Sequence, residues 1–141
     1  MDASIYPVKD ITPVFEYIES NGHLFQKAGH GVDRWCNDYC REYFNLSSKE
    51  SEVMQLFSAG FTGLSFRNMR TLDFFIQWKE AATNGAFKGE WGNHRHDMTC
   101  ASIIAHRLGM KLDSRQWFAY LGGGYLKPPD ECFFLAQPPI I

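Results

Sequence analysis

The chain has 141 residues, the length of one ordinary domain, and its 45% apolar content supports a packed core and excludes a wholly disordered chain. Fourteen Lys and Arg nearly balance sixteen Asp and Glu, so a net charge of −2 excludes the broadly basic surface of a general nucleic-acid binder. Aromatic residues are 16% of the chain, enough to expect some aromatic surface to face a ligand or a partner. Residues 1–8 read as an extended edge or loop. Thr12-Pro13 reads as a helix cap followed by proline in the first turn, with Val14, Phe15, Tyr17 and Ile18 apolar and Asn21-Gly22 as the stop. Gly29-His30-Gly31 reads as a flexible loop, and Asp33 as the cap of a helix to about Phe44 with Trp35, Tyr39 and Tyr43 on one face. Residues 47–52 read as a connection or a helix start. Residues 55–66, punctuated by Gly60 and Gly63, suit a strand whose backbone is approached closely.

Residues 68–82 carry the clearest helical spacing, through Met69, Leu72, Phe75, Ile76 and Lys79, with Asn84-Gly85 as the stop. Residues 87–93 read as a glycine-broken loop. A helix over 97–108 with Ile103, Ile104 and Leu108 inward ends at Gly109, and short strands follow near 117–121 and 132–136. No linker or repeat divides the chain, so residues 1–141 read as a single α/β domain, helices packed on a small mixed sheet. The start lacks a basic and apolar leader, and no run of about 18 apolar residues spans a membrane. Cys36, Cys40, Cys100 and Cys132 are therefore expected as free thiols, and the chain as cytoplasmic.

Three clusters carry chemistry. A carboxylate with a hydroxyl two residues on, Asp2-Ala3-Ser4, can hold a hard divalent cation against a diphosphate. In Asn93-His94-Arg95-His96-Asp97, two imidazoles, a guanidinium and a carboxylate crowd into the start of a helix, an arrangement suited to an anion. Asp97 serves equally as a helix cap, and His96 as a buried, hydrogen-bonded ring. In Gly122-Gly123-Gly124-Tyr125-Leu126-Lys127, glycines bare the backbone and Lys127 can neutralise phosphate, though a plain turn reads the same way. A zinc set of Cys36, Cys40, His94 and His96 has permissible spacing. The His-x-His-x-Asp-His pattern of metallo-β-lactamase type sites is not met, because Asp97 follows His96 directly.

Taken in order, the segments resemble the C-terminal half of a GT-A type glycosyltransferase. Residues 2–10 look like the D-x-D/D-x-S motif with its following strand, and residues 12–20 like the helix after it. Residues 58–66 are similar to the segment that shapes the sugar and acceptor site, and His94-Arg95-His96-Asp97-Met98-Thr99 looks like the R-H-D-Q-S element at a helix start. The likeness runs over about residues 1–110. It implies sugar transfer from a nucleotide-sugar to a carbohydrate or other acceptor hydroxyl, with Mn²⁺ or Mg²⁺ on Asp2 and Ser4 as Lewis acid. It further implies Asp97 near the transferred sugar, orienting its hydroxyls or acting as base on the acceptor, with His96 and Arg95 steadying the diphosphate. His94, Gly60, Gly63 and Lys127 join Arg95 as expected substrate-binding residues. In that fold a nucleotide-binding half precedes the first motif, so the expectation is a partial domain completed by that half, by self-association or by a partner chain; the alternatives are a non-catalytic binding or structural module derived from such a transferase, and an unrelated small α/β protein whose His-rich loop binds metal.

Overall fold

The computed structural model describes residues 4–120 and 129–136. Asp2, the glycines 122–124 and Lys127 lie outside the described residues. The elements run β1 (Ile5–Pro7), α1 (Thr12–Asn21), β2 (His23–Gly31), a single 3-10 turn at Asp33–Trp35, α2 (Asp38–Phe44), α3 (Ser48–Val53), β3 (Gln55–Leu64), α4 (Met69–Thr83), α5 (His96–Arg107), β4 (Phe118–Tyr120) and β5 (Phe134–Ala136). The class is α/β, with helices packed on small mixed sheets, as expected. One sheet has the order β1-β5-β4, antiparallel on one side of β5 and parallel on the other. The other is the antiparallel pair β2-β3. No helix among the described residues is long and apolar enough to cross a membrane.

The β2-β3 pair is the frame of the molecule, because both of its faces are buried. On one face Phe25 stacks on Phe57 at 4.2 Å and Phe74 of α4 leans on Phe25 at 4.9 Å, with α5 covering the rest. On the other face Leu24 and Phe61 meet Val14 of α1 and Phe118 and Phe134 of the three-stranded sheet. The pairing register slips between Phe25 and Lys27 and again before Gly31. The Phe57 N–H is taken by Ser102 Oγ of α5 at 3.0 Å, so a helix side chain completes the strand's hydrogen bonding. The two sheets are joined by a buried amide. Gln26 Nε2 donates to the Phe118 carbonyl at 3.1 Å, and its Oε1 accepts from the Phe118 N–H at 3.0 Å.

Caps account for most helix boundaries. Asn37, Ser47 and Asn68 each accept a backbone N–H from the first turn of α2, α3 and α4. Thr12, expected as a cap, is instead the first helical residue, and Asp10 accepts both its N–H and its hydroxyl. The expected continuous helix from Asp33 to Phe44 is broken at Cys36-Asn37, where the backbone is extended. The largest departure is β2, whose end was expected to be a loop. Leu24, Phe25 and Gln26 are buried in succession, so its first half lacks the alternation that marks a strand, and its end, with Gly29 and His30 exposed, carries no apolar signal. On α4 the buried face carries Thr71, Phe74 and Ala81, while Met69, Phe75 and Ile76 lie exposed.

Candidate functional site

The stretch between α4 and α5, residues 84–95, is fastened to α2 by one side chain. Asn37 Nδ2 donates to the Lys88 carbonyl at 2.7 Å while its Oδ1 accepts from the Cys40 N–H at 3.1 Å. Gly89, at φ +134°, sits against the Asn37 amide where no Cβ fits. The corner so built has an inner and an outer side.

On the inner side His94 is fully buried. Its Nδ1 lies 3.2 Å from the Trp35 carbonyl and its Nε2 3.0 Å from the Ala86 carbonyl. A neutral imidazole has one N–H, so one nitrogen turns a lone pair toward a carbonyl oxygen. The Trp35 carbonyl also accepts from Thr99 Oγ1 at 2.8 Å and from the Arg95 N–H at 3.3 Å. Cys40 of α2 and Cys100 of α5 meet beside this ring with sulfurs 3.8 Å apart, and Cys100 Sγ lies 3.5 Å from the Ala86 carbonyl. The ligand atoms of Cys40, His94 and Cys100 all fall within 4.8 Å of one another. The contact with Cys40, aided by burial, pushes the Cys36 thiol well up, and the contact with Cys100 does the same for Cys40. All four cysteines are free and buried.

On the outer side, α5 begins at His96, whose backbone is left-handed at φ +44°. That conformation is costly for a residue with a Cβ. It brings Nδ1 to 2.8 Å from the Phe87 carbonyl, which only accepts, so Nδ1 carries the proton. Nε2 has no protein partner among the described residues. The His96 ring stacks on exposed Trp91 at 5.8 Å. Arg95 lies between two indoles, 3.9 Å over Trp35 and 4.0 Å over Trp91. Its side-chain N–H groups meet no acceptor among the described residues. Asp97 is exposed in the first turn, where Oδ1 accepts the Met98 N–H at 2.9 Å and its carbonyl accepts from Trp78 Nε1 at 3.1 Å. It is not the cap: Arg95 occupies that position.

The structure therefore brings Arg95, His96 and Asp97 together and turns His94 away from them into the core. Of the expected zinc set only Cys40 and His94 converge, joined by Cys100; His96 is held outward by the Phe87 carbonyl, and Cys36 Sγ lies 3.8 Å from the Asn37 carbonyl, outside the group. Gly60 and Gly63 lie half-buried on β3. At Gly63 the close approach is made by the Ile18 side chain of α1, so a packing contact explains that glycine. Of the residues expected to hold Mn²⁺ or Mg²⁺, Asp2 lies outside the described residues and Ser4 is exposed in the turn before β1. One hydroxyl does not make a cation site. Among the described residues the one group of three or more ligand-type side chains is the thiol–imidazole cluster, and its donors are soft. Trp35, expected only on a helix face, Cys100, expected only as a free thiol, and Trp91 were not expected in a site. An indole between Gly89 and Gly92 in an irregular loop was the available signal for Trp91.

In comparison with known proteins, no protein-family model matches the chain, and neither does any curated protein or solved structure.

Proposed function

We propose that this domain holds a nucleotide-linked sugar and passes the sugar to an acceptor hydroxyl, as the partner of a nucleotide-binding half or of another chain. The order of the motifs supports the reading, and one observation carries it: the Arg95 guanidinium lies over both the Trp35 and the Trp91 rings, with its N–H groups unpaired among the described residues, next to His96 and Asp97. A guanidinium held over two rings is preorganised to offer parallel N–H donors to phosphate oxygens. The exposed part of Trp91 offers apolar surface to the C–H side of a sugar ring. Asp97 orients sugar hydroxyls. His96 Nε2, its tautomer set by the Phe87 carbonyl, accepts the proton of an attacking hydroxyl. Mn²⁺ or Mg²⁺ bound through Asp2 and Ser4 would offset the charge of the departing diphosphate. The exposed stripe of Phe66, Met69, Phe75 and Ile76 is the face for a second copy of the chain. Four buried free thiols suit the reducing cytoplasm.

Calorimetry of the folded chain with a nucleoside diphosphate, with and without Mn²⁺, tests the reading. Binding that Arg95→Met weakens at least tenfold is expected. A folded chain that binds no diphosphate under either condition overturns it and leaves a non-catalytic binding module. Sedimentation at high concentration tests the second copy, and a clean monomer removes it.

A further inference from the structure

The inner side of the same corner supports an inference independent of sugar transfer. We propose that Cys40, His94 and Cys100, with Cys36 beside them as the fourth donor, form a buried site for one soft divalent metal ion of the zinc class.

Three observations lead to it. Two thiolates on a tetrahedral ion with metal–sulfur bonds of ~2.3 Å stand about 3.8 Å apart, and the sulfurs of Cys40 and Cys100 are 3.8 Å apart. The ligand atoms of three residues from three separate segments (α2, the 84–95 stretch and α5) converge within 4.8 Å, with all three residues fully buried. His94 then supplies what the other two observations do not. With both ring nitrogens at carbonyl oxygens, one of them is mismatched in the neutral ring. A metal resolves the mismatch: Nδ1–H stays on the Trp35 carbonyl, as metal-bound histidines donate their second nitrogen to a carbonyl, and Nε2 leaves the Ala86 carbonyl for the ion.

Cys36 completes the set from its position just before α2. Its Sγ lies at the Asn37 carbonyl, outside the three converged ligand atoms, but in the same buried cluster as Cys40 and Cys100, so it joins the ion by turning toward Cys40. Three thiolates and one imidazole match the Cys₃His class of structural zinc sites. Each thiolate formed releases one proton to solvent, so uptake of the dication with three thiols and a neutral histidine liberates three protons. Soft sulfur donors exclude Mg²⁺ and Mn²⁺ from this site, which sets it apart from any oxygen-ligated cation on the outer side. Its role is to tie α2 and α5 beneath Arg95 and His96.

The test is titration of the reduced, metal-free chain with Co²⁺, followed by competition with Zn²⁺. One equivalent of Co²⁺ should produce near-ultraviolet sulfur-to-cobalt charge-transfer absorption and intense visible tetrahedral bands, both erased by one equivalent of Zn²⁺. Cys40→Ser and Cys100→Ser should lose the charge-transfer band or weaken Co²⁺ binding at least a hundredfold, and Cys132→Ser should keep both. A folded wild-type chain with no charge-transfer band overturns the proposal, as does a band that persists unchanged in both variants. Should the variants fail to fold, alkylation mapping on the wild-type chain decides. Zn²⁺ should slow labelling of Cys40 and Cys100 at least tenfold more than that of Cys132, and equal or absent slowing overturns the site. Conversion of Cys40 and Cys100 to a disulfide on mild oxidation, together with no Co²⁺ binding, also overturns it in favour of a redox pair. None of these readouts depends on a sugar or a nucleotide.

Discussion

His94 and His96 are two residues apart on the same loop, and the chain passes between them from core to surface. His94 is fully buried, with a carbonyl at each nitrogen and two thiols alongside. His96 is half-buried, fastened at Nδ1 alone, and stacked on an exposed indole. The contrast shows that residue type says little about role until the backbone is placed. The left-handed turn at His96 separates an imidazole packed in the core from one held at the surface with Nε2 unpartnered among the described residues. Replacing each ring in turn breaks the comparison most sharply. His94→Ala removes a fully buried ring and the one N–H that the ring donates to a carbonyl, a loss of about 3–5 kcal/mol in urea unfolding of the metal-free chain. His96→Gly forfeits one hydrogen bond but relieves a left-handed residue, so stability should change by less than about 1 kcal/mol. Equal losses from the two would erase the distinction between inner and outer sides.

The same division runs along α4 and gives the next largest effect. Phe74 is fully buried against Phe25, while Ile76 is exposed. Phe74→Ala should cost about 3–4 kcal/mol by chemical denaturation, and Ile76→Lys within about 0.5 kcal/mol. This helix also shows where sequence reading ran out. The extent of α4 was legible from its spacing and from Asn68, which caps it. Its inward face was not, because the stripe through Met69, Phe75 and Ile76 is as apolar as the face through Phe74 and Trp78. Periodicity locates a helix but cannot choose between two apolar faces.

Elsewhere the limits had other physical causes. The strand at β3 and the central helix α5 were legible because each is long and apolar. β2 was not, since its first half is buried on both faces and its end, past a register slip, is exposed and glycine-flanked, so neither part alternates. At the corner, Arg95, His96 and Asp97 were legible as a group because they are adjacent in sequence. The thiol cluster was legible only in part. Cys36 and Cys40 share a segment, but Cys100 lies 60 residues beyond Cys40 and joins it only through packing of α2 and α5. Trp35 and Trp91 come together through Arg95, a tertiary contact that no local pattern encodes.

A smaller effect sharpens the outer side alone. Arg95→Met keeps an unbranched apolar stem between the two indoles but removes the charge and every N–H donor. Diphosphate affinity should fall at least tenfold, about 1.4 kcal/mol, while the urea midpoint moves little. A large loss of stability would mean that the guanidinium serves chiefly to hold Trp91 in place.

Acid stability is the last and smallest test, and it probes a region away from the corner altogether. Asp113 joins β2, its N–H donating to the Phe25 carbonyl at 2.7 Å and its carbonyl accepting from the Lys27 N–H at 2.9 Å. Burial alone would raise its carboxyl. The Arg115 side chain and backbone N–H, with the Tyr17 hydroxyl, outweigh that and hold it at about 2, below the ordinary 3.8. Because the folded value is the lower one, the carboxylate contributes stability in full above about pH 4. That contribution is lost as pH falls from about 4 toward 2. Asp113→Asn should therefore lower stability at neutral pH and flatten its decline across that window, measured by urea unfolding at stepped pH. An unchanged decline in the variant would place the acid-sensitive contact elsewhere, and the junction of the two sheets would then owe its stability to the Gln26 amide rather than to this ion pair.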